Sequence, residues 1–124
     1  MNLSSGQSES WNINQIKHSL IAALPTNLDQ HSISMVEESV LRELGRNKML
    51  NRVVVNFEAV QSSDLSDLDR LQGMLLAIKL LGRKVVLCGI SPGMAGLIIQ
   101  CGVSLHHNAI CLDIDSALEQ VNHA

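Results

Sequence analysis

Apolar residues fall along this chain in two alternating rhythms. The runs Val53-Val54-Val55-Asn56-Phe57 and Lys84-Val85-Val86-Leu87-Cys88 are apolar at mostly consecutive positions, the pattern of strands covered on both faces. Between them Leu68, Leu71, Leu75 and Ile78, with Leu81 less regular, follow the spacing of a helix with one buried stripe. Gly82 stands where that helix needs a residue of positive φ in order to stop. Ser91-Pro92 then supplies a cap and a proline at the first helical position, which opens a helix over 93–100 that ends near Gly102. The stretch from Arg52 to Gly102 therefore predicts strand–helix–strand–helix. The polar loop Gln61-Ser62-Ser63-Asp64 lies beyond the end of the first strand, where α/β sheets place working residues.

The flanking pattern extends this unit. Residues 19–24 read as a strand ending at Pro25, and 25–31 as a loop. Trp11 and Ile13 alternate with Asn12 and Asn14, a weaker strand signal that Gln15 does not continue. Residues 32–46 read as a helix with a capping-box spacing from Ser34 to Glu37 and a stripe of Ile33, Val36, Val40, Leu41 and Leu44. A last strand is expected over 107–112, and Asp113 or Asp115 caps a final helix over 116–121. Residues 1–10 are Ser-rich and expected to be a disordered tail, which leaves 11–124 as one domain. The order is ββαβαβαβα. Strands alternating with helices imply an α/β fold with a mainly parallel sheet and crossover helices.

Composition narrows the function. A chain of 124 residues with 46% hydrophobic content suits one packed domain. Aromatic residues make up only 2%, Trp11 and Phe57 with no Tyr, so the core is aliphatic and a platform for stacking bases is missing. With a net charge of −3 as well, nucleic acid is not an expected partner. Cys88, Cys101 and Cys111 form no C-x-x-C pair and sit in apolar surroundings, so all three are expected to be reduced and largely buried. The polar start of the chain lacks a signal-peptide pattern, and no apolar run is long enough to span a bilayer. A cytoplasmic setting without membrane insertion is the expectation.

The one polar concentration at a strand's C-terminal end is Ser62-Ser63-Asp64-Leu65-Ser66-Asp67-Leu68-Asp69. Three readings stay open for it. Asp64, with Asp67 and Asp69, can cap the helix that follows. A phosphoserine there would add roughly −1.5 to −2 charges beside three carboxylates, which makes a switch. Carboxylates can also hold a hard cation, although no glycine-turned ligand loop is present. His106-His107 would face opposite sides of a strand and so do not converge on one ion. Gly89-Ile90-Ser91-Pro92-Gly93 lacks the phosphate-loop spacings and reads as a plain turn, or as an anion site at a helix N-terminus. No nucleophile elbow or catalytic triad can be argued from spacing, so the chain is not expected to be an enzyme, and no cofactor or metal is implied.

The runs VVVNFEAVQSSD, LLG and KVVLCGISPGMA, with the late ICLDIDSAL, resemble the STAS domains of bacterial anti-sigma factor antagonists, above all the stand-alone RsbS type of the stressosome. The resemblance covers about residues 16–121. It implies a central mixed sheet flanked by helices, and a loop after the third strand where Asp precedes a Ser or Thr that a partner kinase phosphorylates. It also implies partner binding through that loop and the following helix. Asp64 matches the family's Asp, whereas the usual acceptor position holds Leu65. Ser66 and Ser63 are the nearest substitute acceptors, and Ser66 lies about 100° further around a helix. Ser62, Ser63, Asp64, Leu65, Ser66, Asp67, Ser91 and Pro92 become the expected partner-binding residues. The implied partners are an anti-sigma or switch-type kinase, other STAS proteins, or both, in a homo-oligomer or a mixed assembly. Two alternatives go with this: a STAS subunit of a membrane lipid-transport ABC ATPase, and a module sensing a small ligand or nucleotide. Regulation by phosphate is expected to be weak or absent.

Overall fold

The computed structural model describes residues 11–61, 63–101 and 109–123. The expected disordered tail, Ser62 and the start of the last expected strand, with His106 and His107, lie outside the described residues. The elements run β1 (Asn12–Ile16), β2 (Ser19–Ala23), α1 (Gln30–Arg46), β3 (Arg52–Asn56), α2 (Leu65–Leu80), β4 (Lys84–Cys88), α3 (Pro92–Cys101), β5 (Ala109–Cys111) and α4 (Ile114–His123).

The five strands form one sheet in chain order, β1-β2-β3-β4-β5. β1 and β2 pair antiparallel as a hairpin, and every other pair is parallel. The two apolar runs that dominate the sequence are the parallel neighbours β3 and β4, with Val54 opposite Val86. Side chains alternate across each strand. Val53, Val55, Val85 and Leu87 therefore share a core with α1, α2 and Met94 of α3. Val54, Val86 and Cys88 point to the other face and meet Ala117 of α4. The three crossover helices thus lie on one face, and among the described residues α4 covers the other.

Helix ends follow the local chemistry. Asp29, in extended conformation, accepts from the Ser32 amide at 2.8 Å, while the Ser32 hydroxyl accepts from the Asp29 amide at 3.1 Å. This reciprocal box starts α1 at Gln30 and replaces the expected Ser34–Glu37 box; Glu37 instead pairs with Arg70 and ties α1 to α2. Gly82 takes φ 83 and closes α2 by donating to the Lys79 carbonyl at 2.9 Å. Asp113, not Asp115, starts α4, because its carboxylate accepts from the Ser116 amide at 2.9 Å. β1 continues through Gln15 to Ile16, since its ladder to β2 holds regardless of side-chain alternation.

Two burial expectations need correction. Leu81 is exposed, because it follows the last turn of α2, and Met74 takes a core position in its place. Cys88 is buried, whereas Cys111 is half-buried, on β5 at the edge of the sheet. The side chain of Cys101 lies outside the described residues. Burial, reinforced by nearby Cys111, Glu58 and Asp113, pushes the Cys88 thiol up to about 11, so it is a packing group and a poor nucleophile.

Candidate functional site

The parallel strands β2 to β5 all end at one pole of the sheet, and the chain there turns into helices. Asn56 closes β3. Its side-chain oxygen accepts from the Glu58 amide at 3.0 Å and lies 3.7 Å from the Cys88 sulfur, which fixes the exit of the chain. Gly89 takes φ 73, and a Cβ there would lie 2.7 Å from that same Asn56 oxygen. The β3–α2 loop is further tied down by the Gln61 amide, which donates to the Thr26 carbonyl at 2.8 Å.

The loop delivers Asp64 as the N-cap of α2. Its carboxylate accepts from the Asp67 amide at 3.0 Å and from the Ser66 hydroxyl at 2.8 Å. The Asp67 carboxylate in return accepts from the Asp64 amide at 3.2 Å. The bond from Ser66, joined by those with Asp67, holds the Asp64 carboxyl below the usual carboxylate range. Burial, at 8% exposure, raises Asp67, and the adjacent Asp64 and the more distant Asp29 add to that effect. Ser63 is half-buried and donates to the Asp64 carbonyl at 3.5 Å. Leu65 is 51% exposed, an apolar side chain standing out from the first turn of the helix. Ser91 and Pro92 lie at the same pole because β4 runs parallel to β3. The Ser91 hydroxyl accepts from the Met94 amide at 3.1 Å and caps α3.

The sequence marked Asp64 and Asp67 but missed their surroundings. Asp29 caps α1 close enough to bear on Asp67, and Glu58 and Asp113 bear on Cys88. Each follows the end of a parallel strand, so the pole is acidic. A shallow cavity of about 360 Å³ opens beside it, lined by Asn12, Ala23, Leu24, Asn56, Glu58 and Ala59. Among the described residues no group of three or more His, Cys, Asp or Glu is placed to hold a metal ion.

The caps set an acid limit on stability. Asp29 and Asp113 are lowered by the amide and hydroxyl of Ser32 and Ser116, and Asp64 chiefly by the Ser66 hydroxyl. A depressed carboxyl releases its proton more readily folded than unfolded. Its contribution is therefore present above the unfolded value near ~3.9 and lost as pH falls through the lower folded value. Asp67, being raised, acts in the opposite sense, and its stabilisation fades as pH rises through its folded value. Thermal melts from pH 2.5 to 7 are expected to show the steepest loss below about pH 4. The combined variant Asp29→Asn, Asp64→Asn, Asp113→Asn should flatten that loss, and an unchanged slope would place the acid sensitivity elsewhere.

A family model described as STAS domain matches residues 10–117. RsbS S58E of Moorella thermoacetica superimposes with a TM-score of 0.78 at 23% identity, over 91% of this chain and 95% of that one. A chain from the structure titled molecular architecture of the stressosome, a signal integration and transduction hub, gives 0.76 at 21% identity, over 90% and 96%. The anti-sigma factor antagonist SpoIIAA in its unphosphorylated form gives 0.70 at 15% identity, over 92% and 99%. A search of curated proteins found no match. Among the described residues no helix is long and apolar enough to cross a membrane.

Proposed function

Since the chain belongs to the STAS domain family, we propose that it is a non-enzymatic regulatory subunit of the anti-sigma factor antagonist or stressosome type, working in the cytoplasm. Its working surface is the loop and helix start from Ser62 to Asp67, together with Ser91 and Pro92. Its partner is a switch-type kinase or another STAS subunit. The observation that carries this reading is Leu65. An exposed leucine in an acidic rim is poorly placed for a free surface and well placed as the apolar centre of a protein contact with a charged border. Leu76 and Leu80 add exposed apolar area along the same helix, which suits assembly into a larger particle.

The hydrogen bonds support weak regulation by phosphate. Leu65 has no hydroxyl. The Ser66 hydroxyl is bound to the Asp64 carboxylate at 2.8 Å, so a phosphate on Ser66 would break that bond and face like charge at contact distance. The Asp67 amide, a helix N-terminal donor that could welcome a phosphate, is already taken by Asp64. Phosphosite mapping of the protein from its native host is expected to find Ser62, Ser63 and Ser66 unmodified. Leu65→Ser should gain a phosphate when incubated with the switch-type kinases of that host. Stoichiometric native phosphate on Ser62 or Ser63 would overturn the reading of the loop.

A further inference from the structure

The opposite pole of the sheet carries the reverse charge. A cavity of about 460 Å³ opens there, lined by Arg52, Lys79, Arg83 and Lys84 together with Val85, Val86 and Ala109. It arises because β5 begins opposite Val86, two positions into β4, so the start of β4 has no strand on that side among the described residues.

Three features set this cavity apart from a solvated basic surface. Arg52 is 4% exposed, and its Nε and Nη1 are buried with no hydrogen-bond partner. Guanidinium N–H groups held out of water without an acceptor destabilise the fold unless a negative charge lies close by. Next, Arg52 and Lys84 are register partners on adjacent strands and point to the same face, an arrangement that repels when left uncompensated. Finally, among the described residues no carboxylate lines the cavity, and the ion pairs sit on α1 and between α1 and α2. Arg83 is held in place by donating to the carbonyls of Leu50, Leu81 and Leu44 at 2.8, 3.0 and 2.9 Å. These neutral carbonyls leave the full positive charge of Arg83 uncompensated at the cavity wall.

The geometry points to a binding site for a phosphate-type oxyanion, free or carried by a small molecule, at the N-terminal ends of β3 and β4. A tetrahedral dianion can face Arg52 and the flexible ammonium groups of Lys79 and Lys84 together, which one carboxylate does less well. It neutralises a charge delocalised over the whole Arg52 guanidinium, whichever nitrogen it touches. Val85, Val86 and Ala109 leave room for a small apolar body beside the phosphate. The site lies at the far end of the sheet from Leu65 and does not depend on the function proposed above.

The test measures binding of inorganic phosphate and of phenyl phosphate to the full chain, by calorimetry and by thermal melts at constant ionic strength. Saturable binding with one site per chain is expected. Lys84→Ala should weaken it roughly 10- to 100-fold, the scale of one charge-assisted hydrogen bond. Without phosphate that variant should melt no lower than wild type, since a repulsion is removed. Arg52→Met should abolish binding and, without phosphate, also melt no lower than wild type. If Arg52→Met fails to fold, Lys79→Ala with Lys84→Ala decides the matter, because both side chains are exposed. Phenyl phosphate binding tighter than phosphate identifies a phosphorylated organic molecule as the ligand, and equal affinity identifies free phosphate. The proposal is overturned by the absence of saturable binding of either probe. Binding left unchanged by Lys84→Ala and by the double variant would also overturn it.

Discussion

Gly89→Ala is expected to destabilise the protein by about 2–4 kcal/mol, from backbone strain and overpacking together. Gly89 takes φ 73, which a side chain disfavours, and its neighbours leave no space. An added Cβ would lie 2.7 Å from the Asn56 side-chain oxygen and 2.9 Å from the Glu58 amide nitrogen. The second contact is with backbone, so the turn rather than a rotamer must move. Gly82→Ala is the control. Its φ is 83, but nothing lies within 4 Å of the added carbon, so only the strain of about 1–2 kcal/mol applies. Urea unfolding of both variants separates the two effects. Equal losses would mean that the Asn56 turn yields freely, and that the β3 exit and the start of α3 are not rigidly coupled.

Leu75→Ala should cost about 2–5 kcal/mol by leaving a cavity in the core under α2. Leu75 is nearly fully buried among Leu68, Leu71, Met74 and Ile78 of its own helix and the strand residues Val53, Val55, Val85 and Leu87. Its neighbour Leu76 points to solvent, so Leu76→Ala should stay within about 0.5 kcal/mol of wild type. The contrast between adjacent leucines tests the rotation of α2, which sets where Leu65 stands. Comparable losses at the two positions would mean that the helix is turned differently.

The element order and the mainly parallel sheet were legible because consecutive β-branched residues, Gly82 and Ser91-Pro92 each carry a local physical signal. What stayed hidden depended on partners distant in sequence or on unusual chemistry. The β1–β2 hairpin turns at Lys17, which takes φ 55 without being the Gly or Asn that usually marks such a turn. The α1 cap was missed because Asp29 is answered by Ser32 and not by the Glu or Gln of the common box. At the candidate site, Asp64 announced itself as a cap. The burial of Asp67 and the approach of Asp29 follow from two loops meeting at one pole, which no single segment encodes. Arg52 carries no local signal of its own, and only the sheet places it beside Lys84 and removes it from water.

The central claim is that the start of α2 is a protein-binding surface built around Leu65. The most direct measurement is the affinity of the chain for the STAS proteins and switch-type kinases of its own host, compared with that of Leu65→Asp. Leu65 is 51% exposed, so the substitution should leave the melting temperature close to that of wild type. The expected result is a partner bound by wild type and at least about tenfold more weakly by Leu65→Asp, in line with loss of an apolar anchor. Binding of equal strength to both, with both folded, would contradict the claim.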